Sequence, residues 1–221
     1  YSRPCVMDIK MGVRTFLESE LTKSKPRVDL AKKVIDIDPT LLTKDERTDG
    51  ITKLRYMQVR EELSSTAMLG LRIEGIRLAS GEEIEIRRTL REPEEIRSKL
   101  EQFVQSRAEV GAAFLAILEK LRSALEASNW FHSHELVSSS LLFIYDDNPT
   151  PTYPPKLWMI DFGKTKVASA GRRLDHRLPW QPSNGEDGYL LGMDSLCELF
   201  AGVGKSPEPG DHGRPAPAVV H

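Results

Sequence analysis

Hydrophobic and polar positions change period several times along the chain, and each change marks an element. Cys5 to Met11 alternates, with Val6, Ile9 and Met11 set among Asp8 and Lys10, which predicts a strand ended by Gly12. From Phe16 to about Ile37 the pattern suits a helix but is broken by Pro26, so it reads as two short helices closed by Asp38 and Pro39. Thr43 and Glu46 have the spacing of a capping box, and a further helix can run from Thr52 to Leu63. Leu69 to Ala79 reads as extended, and Ser80-Gly81 before Glu83 to Ile86 predicts a hairpin with a second alternating strand.

Past Pro93, which a first helical turn tolerates, Ile96, Leu100, Phe103 and Val104 keep helical spacing. Val110, Ala113, Phe114, Ile117, Leu118, Leu121 and Leu125 then recur at three- and four-residue intervals, the pattern of a core helix. Leu141 to Tyr145 and Leu157 to Ile160 read as short strands joined by the proline-rich loop Asn148 to Pro155. Leu190 to Phe200 is a last helix, ended near Gly202 to Gly204, and 205–221 reads as a disordered tail. No internal repeat is present.

Charge narrows the partners. Thirty-one basic against thirty-three acidic residues give a formal charge of −2, so a polyanion must be drawn by a local patch. Between Leu21 and Arg60 ten Lys or Arg face six Asp or Glu, and this is the basic part of the chain. Without an overall basic excess or an array of aromatics for base stacking, nucleic acid is not the expected partner. Cys5 and Cys197 are the only cysteines, which excludes a disulfide framework and points to a reducing compartment. No apolar stretch approaches the roughly 20 residues of a transmembrane segment, so the expected setting is cytoplasmic or peripheral. The chain starts at Tyr1 inside a strand pattern and reads as a fragment cut within a domain.

Three groups of residues can carry chemistry. Asp161, in WMIDFGKT, follows an apolar strand, where a carboxylate can hold the Mg²⁺ that bridges nucleotide phosphates; a polar strand end is the plainer reading. Asp8 and Lys10, two apart on a strand, share a face and could bracket a hydroxyl and a moving phosphoryl group, or form a surface ion pair on an edge strand. Lys53, Tyr56 and Arg60 fall on one helical face that suits a small, highly phosphorylated ligand, or solvent. His132 and His134 lack helical metal-ligand spacing and mark a helix-to-strand connection. Ser138 to Ser140 has no nucleophile-elbow glycines, and no Walker-type or kinase Gly-rich loop occurs.

PCVMDIKMG resembles the P-x-x-x-D-x-K-x-G signature of the inositol polyphosphate kinase family. MGVRTFLESELTK, TKLRYMQVREELSSTAMLGLRIEGI, SSSLLFIYDD, WMIDFGKT, LDHRLPW and EDGYLLGMDSL are similar, in order, to its inositol 1,4,5-trisphosphate 3-kinase branch. The resemblance implies an α+β fold distantly like protein kinases: a larger C-terminal lobe over 1–204 with a helical substrate-binding insertion at about 16–67. It implies ATP- and Mg²⁺-dependent phosphorylation of the 3-hydroxyl of inositol 1,4,5-trisphosphate, and a part in calcium signalling. Asp8 would contact the reacting hydroxyl and the nucleotide side, Lys10 the substrate and transferred phosphate, and Asp161 and Ser140 the nucleotide and metal. Lys53, Tyr56 and Arg60 would bind substrate, as would Arg27, in a stretch shorter than the family's, and Arg77, where a lysine is usual. The family's smaller lobe with its ATP-contacting lysine, any calmodulin-binding segment, and any cytoskeletal or membrane targeting would lie upstream. The 221-residue piece is therefore expected to be inactive alone. The competing class is a catalytically silent inositol phosphate-binding or scaffolding module.

Overall fold

The computed structural model describes residues 1–20 and 25–204, so the expected tail at 205–221 lies outside the described residues. Strand β1 (Pro4–Met11) is followed by a helical insertion of α1 (Val28–Ile35), α2 (Lys44–Asp49) and α3 (Lys53–Leu63). After α4 (Thr66–Leu69) come β2 (Leu71–Arg77) and β3 (Glu83–Ile84), then α5 (Pro93–Phe103), α6 (Ala108–Glu126) and α7 (Asn129–His132). The chain continues through β4 (His134–Leu136), β5 (Ser140–Asp146), β6 (Lys156–Ile160), β7 (Thr165–Val167) and α8 (Tyr189–Gly202).

The main sheet is antiparallel in the order β3-β2-β1-β5-β6, which puts β1 at its centre. Alternation along β1 separates the two faces. Cys5, Met7, Ile9 and Met11 are fully buried against apolar residues of α5, α6 and α8, including Leu100, Phe114 and Phe200. Val6, Asp8 and Lys10 point to the other face, which no helix of that layer covers. Gly12 ends the strand at φ +93°, and a Cβ there would lie 2.6 Å from the Asp187 carbonyl oxygen, so both conformation and space require glycine.

The insertion has its own small core of Leu30, Ala31, Val34, Leu42, Ile51 and Val59. Of the two helices expected over Phe16 to Ile37, the second is α1, while the described part of the first holds only a 3-10 turn at Glu18–Glu20. The extended stretch expected from Leu69 starts two residues later, because α4 occupies Thr66–Leu69 and Gly70, at φ +64°, closes it. The second hairpin strand is only Glu83–Ile84, paired with Arg77 and Ile76, and Ile86 beyond it packs on the main core without pairing. β4 and β7 pair as a separate two-stranded sheet, too short to leave a period in the sequence. No helix among the described residues is long and apolar enough to cross a membrane.

Candidate active site

Strand register assembles the site on the open face. Asp8 stands opposite Gly75 of β2 and Leu142 of β5, while Lys10 stands opposite Arg72 and Ser140. Ser140 is in turn opposite Ile160, the last residue of β6, so Asp161 follows at the end of the same row. The Lys10 Nζ donates to the Ser138 carbonyl at 3.1 Å and lies 3.9 Å from Asp161 Oδ2. Asp161 sits at φ +64°, ψ +52°, a left-handed conformation that aspartate tolerates better than most side chains. Its side chain is 59% exposed. The edge-strand alternative for Asp8 and Lys10 fails, because β1 is the central strand and Lys10 approaches Asp161 instead.

Asp8 is half-buried, and its Oδ1 has no hydrogen-bond partner among the described residues; nor has the buried Oγ of Ser140. Burial pushes the Asp8 carboxyl above the usual aspartate range. The nearby Ser140 hydroxyl and Lys10 ammonium oppose that rise, and the Glu74 and Asp161 carboxylates add to it. Two polar atoms left unpaired in a protein interior cost free energy unless something else uses them.

No group of three His, Cys, Asp or Glu among the described residues could cage a metal. An exposed carboxylate beside an unpaired hydroxyl does fit a cation that keeps waters and is shared with phosphates, as Mg²⁺ usually is in phosphoryl-transfer sites. Asp161 would hold it, with Ser140 alongside.

A groove of about 240 Å³ runs between α3 and β2, walled in part by Tyr56, Arg60, Arg72 and Glu74. The hydroxyl of Thr52 caps α3 by accepting the Arg55 N–H at 3.2 Å, and the Arg60 guanidinium lies 5.9 Å from the centre of the Tyr56 ring. A second groove, beside Asp8 and Arg77, shares Glu74 and Ile86 with the first.

With this geometry in place, comparisons with known proteins give the lineage. The model of the family described as inositol polyphosphate kinase matches residues 1–201. This chain belongs to the inositol polyphosphate kinase family. It is 45% identical over 208 residues to inositol-trisphosphate 3-kinase A of Rattus norvegicus, covering 92% of this chain and 44% of that protein. It is 46% identical over 211 residues to inositol-trisphosphate 3-kinase C of Mus musculus, covering 93% and 30%, and 42% identical over 213 residues to the Caenorhabditis elegans homolog, covering 96% and 42%. The chain thus spans less than half the length of these curated relatives. In fold it resembles the S. cerevisiae inositol phosphate multikinase Ipk2 solved with ADP and Mn²⁺, at a TM-score of 0.57 and 16% identity over 91% of this chain and 78% of that one.

The remaining expected ligands of this family member are scattered. Lys53 is exposed and stands outside both grooves. It is one of the weaker pulls on Glu20, where the Leu17 N–H and Lys164 overcome the rise from burial and lower the carboxyl. Arg27 opens α1 with its guanidinium forked onto Asp29 at 2.7 and 3.0 Å, also outside both grooves. Arg77 is exposed on β2 opposite Val6, on the Asp8 side of the sheet.

Two residues with no expected role tie the site together. Glu61, one position after Arg60, is 5% exposed and accepts the Thr15 N–H at 2.7 Å and its hydroxyl at 2.9 Å. Burial pushes the Glu61 carboxyl up to about 7 against the pull of those two donors, Arg72 and Arg14. Lys164, three residues past Asp161, donates to the Thr15 carbonyl at 3.1 Å and to Glu20 at 3.0 Å. The only sequence signal was a glutamate in a helix without an apolar stripe.

Proposed function

We propose that this chain carries the inositol phosphate site and the metal carboxylate of an ATP-dependent kinase acting on the 3-hydroxyl of inositol 1,4,5-trisphosphate, giving the 1,3,4,5-tetrakisphosphate. The observation that carries this reading is the convergence of Asp8, Lys10, Ser140 and Asp161 on one sheet face, beside an arginine-rich groove. Relatives named inositol-trisphosphate 3-kinases, 42% to 46% identical over more than nine-tenths of the chain, support it.

Asp8 suits the hydroxyl: a carboxylate of raised pKa whose Oδ1 has no partner is a stronger base than an ordinary aspartate and can accept that proton at Oδ1. Lys10 supplies positive charge where the phosphoryl group moves, and Tyr56, Arg60 and Arg77 supply phosphate donors. A bound Mg²⁺ would neutralise the nucleotide phosphates. Mg²⁺ as the ion, calcium signalling and calmodulin contact through sequence outside this chain belong to the same reading and rest on resemblance, and a cytoplasmic setting rests on the apolar pattern of the sequence.

The test is phosphate transfer from labelled ATP to inositol trisphosphate by the full-length protein. Asp161→Asn is expected to lower turnover by about 100-fold or more while substrate binding persists. The parent should lose activity as pH falls through an acid limb set above the ordinary aspartate range, and Asp8→Asn should remove the activity that defines the limb. Undiminished turnover in Asp161→Asn would refute the metal role, and a parent that binds substrate without consuming ATP would be the silent binding module.

A further inference from the structure

The groove between α3 and β2 has a wall that none of the expected ligands explains. Arg87 and Arg88 join it from the segment after β3, outside the helical insertion, and line it together with Tyr56, Arg60, Arg72 and Glu74. Four arginines and one glutamate lining a single groove are a concentration of positive residues in a chain whose formal charge is −2.

Two of the four are already neutralised. Arg72 forks onto Glu74 and donates to the Thr66 hydroxyl at 3.2 Å, and Arg87 pairs with Glu95. Arg60 and Arg88 form no hydrogen bond or ion pair among the described residues. They are the two charges with donors to spare, one from α3 and one from the segment after β3. Since this groove and the one beside Asp8 share Glu74 and Ile86, a compact polyanion whose hydroxyl lies at Asp8 can extend a second group into it.

We infer that Arg88, with Arg60, forms a phosphate subsite for a group of the inositol phosphate that is not adjacent to the reacting hydroxyl. This rests on the function proposed above. On the 1,4,5-trisphosphate the 4-phosphate neighbours the 3-hydroxyl, so the group at Arg88 is the 1- or the 5-phosphate. An arginine fork bonds such a terminal phosphate through two parallel N–H donors, which adds orientation as well as affinity. Arg88 is then a specificity-determining residue: it favours substrates bearing that phosphate and is indifferent to those without it.

The experiment is calorimetric titration of the 221-residue chain with inositol 1,4,5-trisphosphate, 1,4-bisphosphate and 4,5-bisphosphate, for the parent, Arg88→Ala and Lys120→Ala. Arg88 is exposed and unpaired, so its truncation leaves the fold's contacts in place, and Lys120 is an exposed cation on α6. Arg88→Ala is expected to weaken trisphosphate binding about tenfold, and to lose that effect with the one bisphosphate lacking the group it holds. Lys120→Ala should bind as the parent does. Equal affinity of Arg88→Ala and the parent for the trisphosphate, an equal loss in both variants, or an unchanged loss with both bisphosphates would each overturn the inference. A parent that binds none of the three would instead sink the proposed function.

Discussion

Phe114 and Glu61 are both buried, and their surroundings separate two regions of the molecule. Phe114 is fully enclosed by rings, with Phe103, Phe143, Tyr145 and Phe200 centred 5.2 to 6.4 Å away, so one side chain joins α5, α6, β5 and α8. Glu61 is enclosed by polar partners, and its two bonds from Thr15 key the insertion to the segment after β1. The sheet layer is therefore held by non-directional burial, which tolerates small shifts, whereas the insertion combines a small core with directional polar contacts. The difference suits the proposed roles. A rigid platform fixes Asp8 and Asp161, and a separately built element carries Tyr56 and Arg60 to the ligand.

The largest expected effect tests the platform. Phe114→Ala should destabilise the chain by about 3–5 kcal/mol, since the ring leaves a cavity that four other aromatic residues cannot collapse into. Urea denaturation followed by fluorescence should show the midpoint falling for the whole chain. An unchanged midpoint would mean that burial does not dominate there.

Next in size is a substitution that should stabilise. The Glu61 carboxyl, at about 7 in the folded state, lies above its ordinary value of 4.5, so the folded protein holds the proton more tightly. Its contribution to stability is full below the unfolded pKa and is lost as pH rises from about 4.5 through 7. Glu61→Gln keeps an oxygen for the two Thr15 donors and cannot ionise. It should match the parent near pH 4 and exceed it above pH 7 by an amount on the order of 3 kcal/mol. Urea midpoints measured at pH 4 and pH 8 check this; a Gln variant weaker than the parent at pH 8 would show that the charge, not the shape, makes the key.

How far the sequence discloses these two regions follows from the same contrast. Periodic burial is visible as a pattern, so β1, α5, α6, β5, β6 and α8 are close to their expected spans, and the shared face of Asp8 and Lys10 follows from a two-residue period. The approach of Asp161 to Lys10 depends on the register of β1, β5 and β6, which no local pattern encodes. Polar keys leave almost no trace: Glu61, Thr15 and Lys164 meet across 46 and 149 positions of chain. Helical spacing alone also groups Lys53 with Tyr56 and Arg60, because it gives direction around α3 and not what stands opposite. The β2 wall and the segment after β3 decide that only the last two line the groove.

The smallest expected effect probes one polar contact within the insertion. Thr43 and Glu46 form a full capping box at the start of α2: the Thr43 hydroxyl accepts the Glu46 N–H at 3.1 Å, and the Glu46 carboxylate accepts the Thr43 N–H at 2.8 Å. Glu46 also takes the Arg55 guanidinium at 2.9 Å, joining α2 to α3. Thr43→Ala removes the capping hydroxyl together with the exposed γ-methyl and should cost about 1 kcal/mol. Since the Glu46 carboxylate keeps its bonds to the Thr43 backbone and Arg55, the loss should stay within α2. Amide hydrogen exchange should quicken at Arg47 and Gly50, whose N–H groups bond back to Thr43 and Glu46, and remain unchanged in α6. Faster exchange in α6 as well would mean that the insertion and the sheet layer unfold as one unit, and that the division between the two regions is one of packing chemistry without being one of stability.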